Sequence, residues 1–202
     1  MIDGAMGAAE PTTNPSIFLR LNRGETGARE LAWNEFHDRY AAAIAAFARQ
    51  IGVRGEDVDD VVQDVLLGFY STSPTFVYDP ARGRFRSYLK TCTFHAARLR
   101  AGRNARFRGM PLDQIDSDAL EVDQVWNDVW EQELLRRVIN EVRREMGATK
   151  TFRAFEMYVI LDMPAQEVSR QLDLHVDNVY RAKQSVTRLL REKLDALRSS
   201  DP

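Results

Sequence analysis

Residues 164–190 read PAQEVSRQLDLHVDNVYRAKQSVTRLL. Pro164 suits the first turn of a helix, where its missing N–H is not needed. Val168 and Leu172 give that helix one apolar edge, and Asp173-Leu174-His175 forms a short turn with an apolar plug. Val179, Ala182, Val186, Leu189 and Leu190 then recur at the period of a second, longer helix. Two helices joined by about three residues, the second of them basic, match a helix-turn-helix that lays its second helix in the major groove. Asn178, Arg181, Ser185 and Arg188 fall on one outward stripe, with Asp177, Tyr180 and Gln184 beside it. Arg, Asn and Gln can bond base edges in pairs, and further bases neutralise phosphates. An ordinary helical hairpin with a solvated basic face fits the same spacing.

Upstream, charge is segregated. From Ala81 to Arg108 the chain carries Arg82, Arg84, Arg86, Lys90, Arg98, Arg100, Arg103, Arg106 and Arg108 and no acid. From Gly109 to Glu133 it carries Asp113, Asp116, Asp118, Glu121, Asp123, Asp128, Glu131 and Glu133 and no base. The net charge of −2 conceals this reversal, which assigns the two segments different partners. Phe76, Tyr78, Phe85, Tyr88, Phe94 and Phe107 are interleaved with the arginines. Aromatic faces stack on unpaired bases while arginines follow phosphates, which favours single-stranded or melting DNA. The alternative is that most of these rings are core and the arginines a solvated face.

Around these motifs the pattern is helical and soluble. Residues 1–28 are expected to be a mobile tail, rich at the start in Gly, Ala, Pro and Thr. A first helix is predicted from Arg29 to Gln50, with Leu31, Phe36, Tyr40, Ile44 and Phe47 inward, ending at Gly52 and Gly55. The next opens on Glu56 and Asp57 and buries Val58, Val61, Val62, Val65, Leu66 and Phe69, leaving Asp59, Asp60, Gln63 and Asp64 towards solvent without a partner in view. A third runs from Phe85 to Arg100 with Tyr88, Leu89, Cys92, Ala96 and Leu99 inward. The expected organisation is therefore all-α, with two small helical domains at 29–108 and 134–198 joined by an acidic linker at 109–133. Trp126 and Trp130, four apart, suggest that part of the linker docks, most simply on the second domain. No apolar run approaches the ~18 residues of a membrane helix, which points to the cytoplasm. The single cysteine, Cys92, excludes an internal disulfide, and His37, His95 and His175 lie too far apart for a zinc spacing. No metal or cofactor is expected, and no glycine-rich phosphate loop or catalytic triad suggests an enzyme.

Three stretches in order resemble a known family: Asp60-Val61-Val62-Gln63-Asp64-Val65, then Tyr78-Asp79-Pro80-Ala81-Arg82-Gly83-Arg84-Phe85-Arg86-Ser87-Tyr88-Leu89, then the helix-turn-helix. They are similar to the extracytoplasmic-function (ECF) sigma factors of bacterial RNA polymerase, over Trp33 to Leu197. The resemblance implies a region 2 helical bundle, a region 4 helix-turn-helix and a transcription initiation factor with no reaction of its own. It implies that Asp59, Asp60, Gln63 and Asp64 dock on the β′ clamp of core RNA polymerase, with the β flap as a second contact. It implies that Asp79, Arg82, Arg84, Phe85, Arg86, Tyr88, Lys90, Phe94, His95, Arg98 and Arg103 bind the −10 element, a flipped base sitting in the 79–85 loop. Flipping costs a few kcal/mol of unstacking, so that loop must return stacking and hydrogen bonds. Asn178, Tyr180, Arg181, Gln184, Ser185 and Arg188 would read the −35 element. Family members are commonly held inactive by an anti-sigma protein.

The chain departs from the family pattern at three positions. Tyr88 stands where Trp is common, His95 where Asn is common, and Asp173 replaces a common turn glycine. Asp tolerates the left-handed backbone such a turn requires better than most residues. A free-standing helix-turn-helix regulator is the competing reading, but it leaves the arginine-aromatic block and the Asp60/Gln63/Asp64 face without a purpose.

Overall fold

A computed structural model describes residues 16–23, 26–77, 79, 84–101 and 106–199. Among them the chain is all-α apart from one two-residue hairpin, and it divides into a first unit ending at Glu133 and a second, Leu134–Ser199.

The first unit is built on helices α1 (Ser16–Arg23), α2 (Thr26–Gln50), α3 (Asp57–Thr72) and α4 (Phe85–Ala101). In α3 the acids Asp57, Asp59 and Asp60 occupy the first turn, where the helix dipole favours negative charge. Val58, Val61, Val65, Leu66 and Phe69 recur at three- and four-residue steps and are buried. At the other end the Ser73 and Thr75 hydroxyls donate to the Tyr70 and Thr72 carbonyls, acceptors the helix leaves open, while Ser71 and Thr72 donate back to carbonyls already inside the helix. Helix α2 ends in a Schellman motif: Val53 N–H reaches the Ala48 carbonyl at 3.0 Å and Gly52 N–H the Arg49 carbonyl at 3.1 Å. Gly52 has φ +100°, and a β-carbon there would lie 2.2 Å from the Arg106 carbonyl oxygen. Glycine is thus required both by the backbone and by strand β1 (Arg106–Phe107), which pairs with β2 (Met110–Pro111).

Aromatic rings fill this unit. Phe36 stacks on Phe69 at 4.5 Å, Phe18 meets Phe85 at 4.7 Å, and Tyr40 lies 5.5 Å from Phe85. Such pairs each add about 0.5–1.5 kcal/mol beyond the area they bury.

Four expectations are corrected. Residues 16–23, expected within a mobile tail, form α1, because Ile17, Phe18 and Leu21 bury one face and Arg20 pairs with Glu35 at 2.5 Å. An eight-residue helix is too short to stand alone, so packing rather than propensity makes it. Leu31, expected inward, is 69% exposed. Helix α4 buries Phe85, Leu89, Lys90, Thr93, Phe94 and Ala97, so Tyr88 and Leu99, expected inward, turn outward. The phase is displaced because polar residues occupy core positions. Thr93 is accommodated by donating its hydroxyl to the Leu89 carbonyl at 2.7 Å.

The fourth correction concerns the acidic linker. Leu112 in a 3₁₀ turn, then Val122, Trp126, Val129 and Trp130 in helix α5 (Leu120–Met146), are buried. Trp126 packs edge-on against Phe47 at 5.0 Å and Trp130 stacks on Tyr40 at 5.8 Å. The tryptophans therefore dock on the first unit, not on the second domain. Their apolar period outweighs the surrounding carboxylates, which lie on the other faces of α5.

The second unit comprises the end of α5, then α6 (Lys150–Phe155), α7 (Ala165–Leu172) and α8 (Val176–Ser199). A π-helical turn, Glu156–Ile160, continues α6. Thr149 caps α6 by accepting from the Phe152 N–H at 3.3 Å. One core cluster joins Val138, Val142, Phe152, Phe155, Val186 and Leu190; a second joins Ala154, Ala165, Val168, Leu172, Val179 and Ala182. Lys193 on α8 binds Glu141 at 2.6 Å and Glu145 at 2.7 Å on α5. In the turn between α7 and α8, Asp173 adopts φ 50°, ψ 61°. There Leu174 N–H reaches the Ser169 carbonyl at 3.0 Å, and the Ser169 hydroxyl donates to the Leu174 carbonyl at 2.5 Å.

Candidate functional site

The outward face of α3 presents Asp59 and Gln63 exposed and Asp60 and Asp64 half-buried. The last two have an intrachain partner that sequence reading did not supply: Arg100, from the end of α4. Its guanidinium donates to both oxygens of Asp64, at 2.6 and 2.7 Å, and to Asp60 at 3.1 Å. The hydrogen bond and charge of Arg100 hold the Asp64 carboxyl below its ordinary value. Beside the acids, Trp33, His37, Val62, Leu66 and Leu67 line an apolar groove of about 310 Å³ that Asp59 and Gln63 also border.

A second feature lies where α3 ends and α4 begins. Thr72, Thr75, Phe76, Val77, Asp79, Arg84, Phe85, Ser87, Tyr88 and Thr91 line a cleft of about 740 Å³. The Tyr88 ring is 40% exposed. Partial burial, with hydrogen bonding to Cys92, pushes its hydroxyl up to about 12, so it stays a neutral donor. Asp79, Arg84 and His95 are exposed, and Arg86 and Arg98 are half-buried. Arg98 donates to the Asp113 carbonyl at 3.1 Å. Arg82 and Arg103, with Tyr78, lie outside the described residues.

Three expected −10 contacts are corrected by burial. Phe85 is 2% exposed, within the ring cluster of Phe18, Phe36 and Phe69, and Phe94 is 0% exposed. Phe94 offers no face to a base, and Phe85 reaches the cleft wall with only that small remainder of its surface. Lys90 is 5% exposed and donates to Asp118 at 3.2 Å and Asp123 at 2.6 Å. Burial by itself lowers an amine's pKa, but these carboxylates raise that of Lys90 and keep it charged. It ties the acidic segment to α4 rather than reaching a phosphate.

In the second unit all six expected contact residues, Asn178, Tyr180, Arg181, Gln184, Ser185 and Arg188, are exposed on α8. Asn178, Arg181 and Ser185 share a cleft of about 270 Å³ with Lys150 and Thr151 of α6. Gln184 and Arg188 share another, of about 450 Å³, with Lys183, Thr187 and Arg191. Tyr180 lies edge-on to Tyr158 at 5.7 Å, at the margin of the stripe. The surface combines guanidinium, amide and hydroxyl donors, the groups that bond base edges and phosphates.

Residues 36–107 match the family described as Sigma-70 region 2. This part of the first unit is similar to a sigma-70 region 2. The match runs from Phe36 in α2 through α3 and α4 to β1, so it contains the acidic face and the ring-and-arginine cleft. It bears out the resemblance to a sigma factor on the motifs of this unit and supports a sigma-factor role. A solved structure, of CnrH in complex with the cytosolic domain of CnrY, is similar at 22% identity, covering 91% of this chain and 98% of that one, with a TM-score of 0.36. No curated protein matches the chain.

Sequence reading of region 2 missed Trp33 and His37 beside the acidic face, because both sit on α2, remote in sequence from the Asp60–Asp64 motif. Arg100 was missed for the same reason, lying 36 residues from Asp64. In the second unit Lys183 and Arg191 were detectable, being basic and close to the stripe in helical phase. Lys150 was not, since only the fold brings α6 beside α8. Among the described residues no group of three His, Cys, Asp or Glu side chains is arranged to hold a metal ion, and no helix is long and apolar enough to cross a membrane.

Proposed function

We infer that this chain is a transcription initiation factor that joins core RNA polymerase, directs it to specific promoters and assists strand opening. Asp59, Asp60, Gln63 and Asp64 form the surface for the β′ clamp. Residues 134–198 act as a region 4-like domain that reads the −35 element through α8 and meets the β flap. The α3–α4 cleft receives the −10 element, with Tyr88 as its exposed ring and Asp79, Arg84, Arg86, His95 and Arg98 around it. Arg82 and Arg103 are included on the resemblance alone. The protein catalyses no reaction itself and works in the cytoplasm, where its polymerase is. An anti-sigma protein covering the acidic face would hold it inactive.

The observation that carries this reading is the joint presence of a region 2 match and an α8 whose six expected contacts are all exposed. A lone helix-turn-helix regulator has no use for the first of these. The deciding experiment mixes the protein with purified core polymerase and a promoter library and sequences the run-off transcripts. Specific initiation is expected. Tight duplex binding by the protein alone, with no association with polymerase, would establish the regulator reading instead.

A further inference from the structure

Arg100 belongs by sequence to the basic block of α4, yet its guanidinium lies across α3. It engages both oxygens of Asp64 in a planar fork and reaches Asp60 with a third N–H. A guanidinium supplies that fork and an ammonium does not. The side chains of Arg100, Asp60 and Asp64 are 42%, 48% and 39% exposed, so the contact is open to solvent and inexpensive to break. Glu56, Asp57 and Asp59 lie on the same two turns and add to the negative field. Asp59 and Gln63 are exposed, and their side chains make no hydrogen bond or ion pair among the described residues. The acidic face thus has an open edge, Asp59 and Gln63, and an edge already filled by a cation of the same chain.

We propose that Arg100 is the resident counter-ion of the docking face, and that a basic partner engages Asp60 and Asp64 by displacing it. The proposal rests on the polymerase-docking reading above. Exchange has chemical consequences for the partner. It first meets Asp59 and Gln63, and it then brings its own cation to Asp64, a guanidinium being the group that reproduces the fork being lost. Breaking the Arg100 pair costs every such partner the same, so Arg100 lowers the affinity of all of them and leaves a surface without its own matching cation too weak to bind; it sets a threshold without being a contact.

The test titrates the full chain against core RNA polymerase at low and at physiological ionic strength. Arg100→Gln is expected to tighten binding by roughly two- to fivefold at low salt, the range a single exposed ion pair spans. The gain should shrink as salt screens the face. Arg100→Lys, which keeps the charge without the fork, should fall between wild type and Arg100→Gln. In an Asp64→Asn background, Arg100→Gln should have little further effect. Unchanged or weaker binding by Arg100→Gln, at an unchanged melting temperature, overturns the proposal. Should that variant lose stability, Arg100→Lys binding no tighter than wild type overturns it equally. Asp60→Arg separates the two layers. If it weakens polymerase binding while Arg100→Gln does not tighten it, exchange fails and docking stands. If Asp60→Arg has no effect, the docking reading fails as well.

Discussion

Helices α4 and α8 are both basic, both lie in expected DNA contacts, and present those residues differently. On α8 every expected contact is exposed, while Val179, Ala182, Val186 and Leu190 keep to the opposite face. On α4, Phe85, Lys90 and Phe94 are buried among the residues expected to face DNA, and Arg98 and Arg100 are engaged within the chain. The cause is position in the fold. Helix α8 packs against the end of α5, α6 and α7 through a single apolar stripe, and the remainder is free for reading. Helix α4 is covered by α2, by α3 and by the acidic segment, so ring and base alike are drawn into structure. A basic-aromatic composition therefore signals nucleic-acid binding only where the helix has a side left to face it.

The largest expected effect tests this contrast at matched positions. Phe94→Ala should cost about 3–5 kcal/mol of first-unit stability, as truncating a buried Phe generally does. Arg188→Ala should change stability by no more than about 0.5 kcal/mol, being exposed and away from the core. Thermal melts of the two variants check it directly. A small loss from Phe94→Ala would mean that its ring is available after all and return it to the −10 contacts.

The next effect concerns binding. Arg181→Ala and Arg188→Ala should each reduce −35-dependent promoter occupancy by the equivalent of about 1–3 kcal/mol, the discrimination carried by a good base contact. Tyr88→Ala should slow promoter opening by a comparable stacking loss of about 1–3 kcal/mol, and Tyr88→Phe should restore most of it. Polymerase footprints on promoters with intact and scrambled −35 elements, with permanganate reactivity at −10, separate the two. If both arginine variants keep wild-type promoter preference, α8 is not the recognition helix.

How far these features could be read beforehand follows from their range in sequence. The helix-turn-helix is local: Pro164, the Asp173 turn and the apolar steps to Leu190 lie within one short stretch, and the structure keeps all of them. The inward face of α3 is equally local. What escaped depends on distant neighbours. Nothing near Trp126 says that Phe47 covers it, and nothing near Asp64 names Arg100. The phase of α4 escaped for another reason: Thr93 and Lys90 are polar by type yet buried, satisfied by the Leu89 carbonyl and by Asp118 and Asp123. A pattern rule that equates apolar with inward must fail there.

A smaller effect is expected in the α7–α8 turn. Asp173 holds φ 50°, a left-handed conformation that costs an L-residue energy that glycine does not spend. Asp173→Gly should raise second-unit stability by no more than about 1 kcal/mol, since the added freedom of the unfolded chain offsets part of the relief. Calorimetric melting measures it. A loss of stability would show that the Asp173 side chain contributes to the turn beyond its backbone.

The smallest expected effect contrasts the units by pH. The Arg100 link holds the Asp64 carboxyl below its ordinary value of 3.8. A depressed carboxyl contributes stability that is present above the unfolded value and lost as pH falls through the folded one. Wild type and Arg100→Gln should therefore differ slightly in first-unit stability at neutral pH and converge under acid conditions below about pH 4. The difference stays small because both partners are exposed and water screens them. The second unit lacks Arg100 and should show no such convergence when the same two proteins are compared. Denaturant melts across pH, read by Trp33, Trp126 and Trp130, which all precede Leu134, report the first unit alone. Curves for the two proteins that run parallel down to strongly acid pH would mean that the guanidinium fork adds nothing to the fold. Arg100 would then act only at the moment a partner arrives.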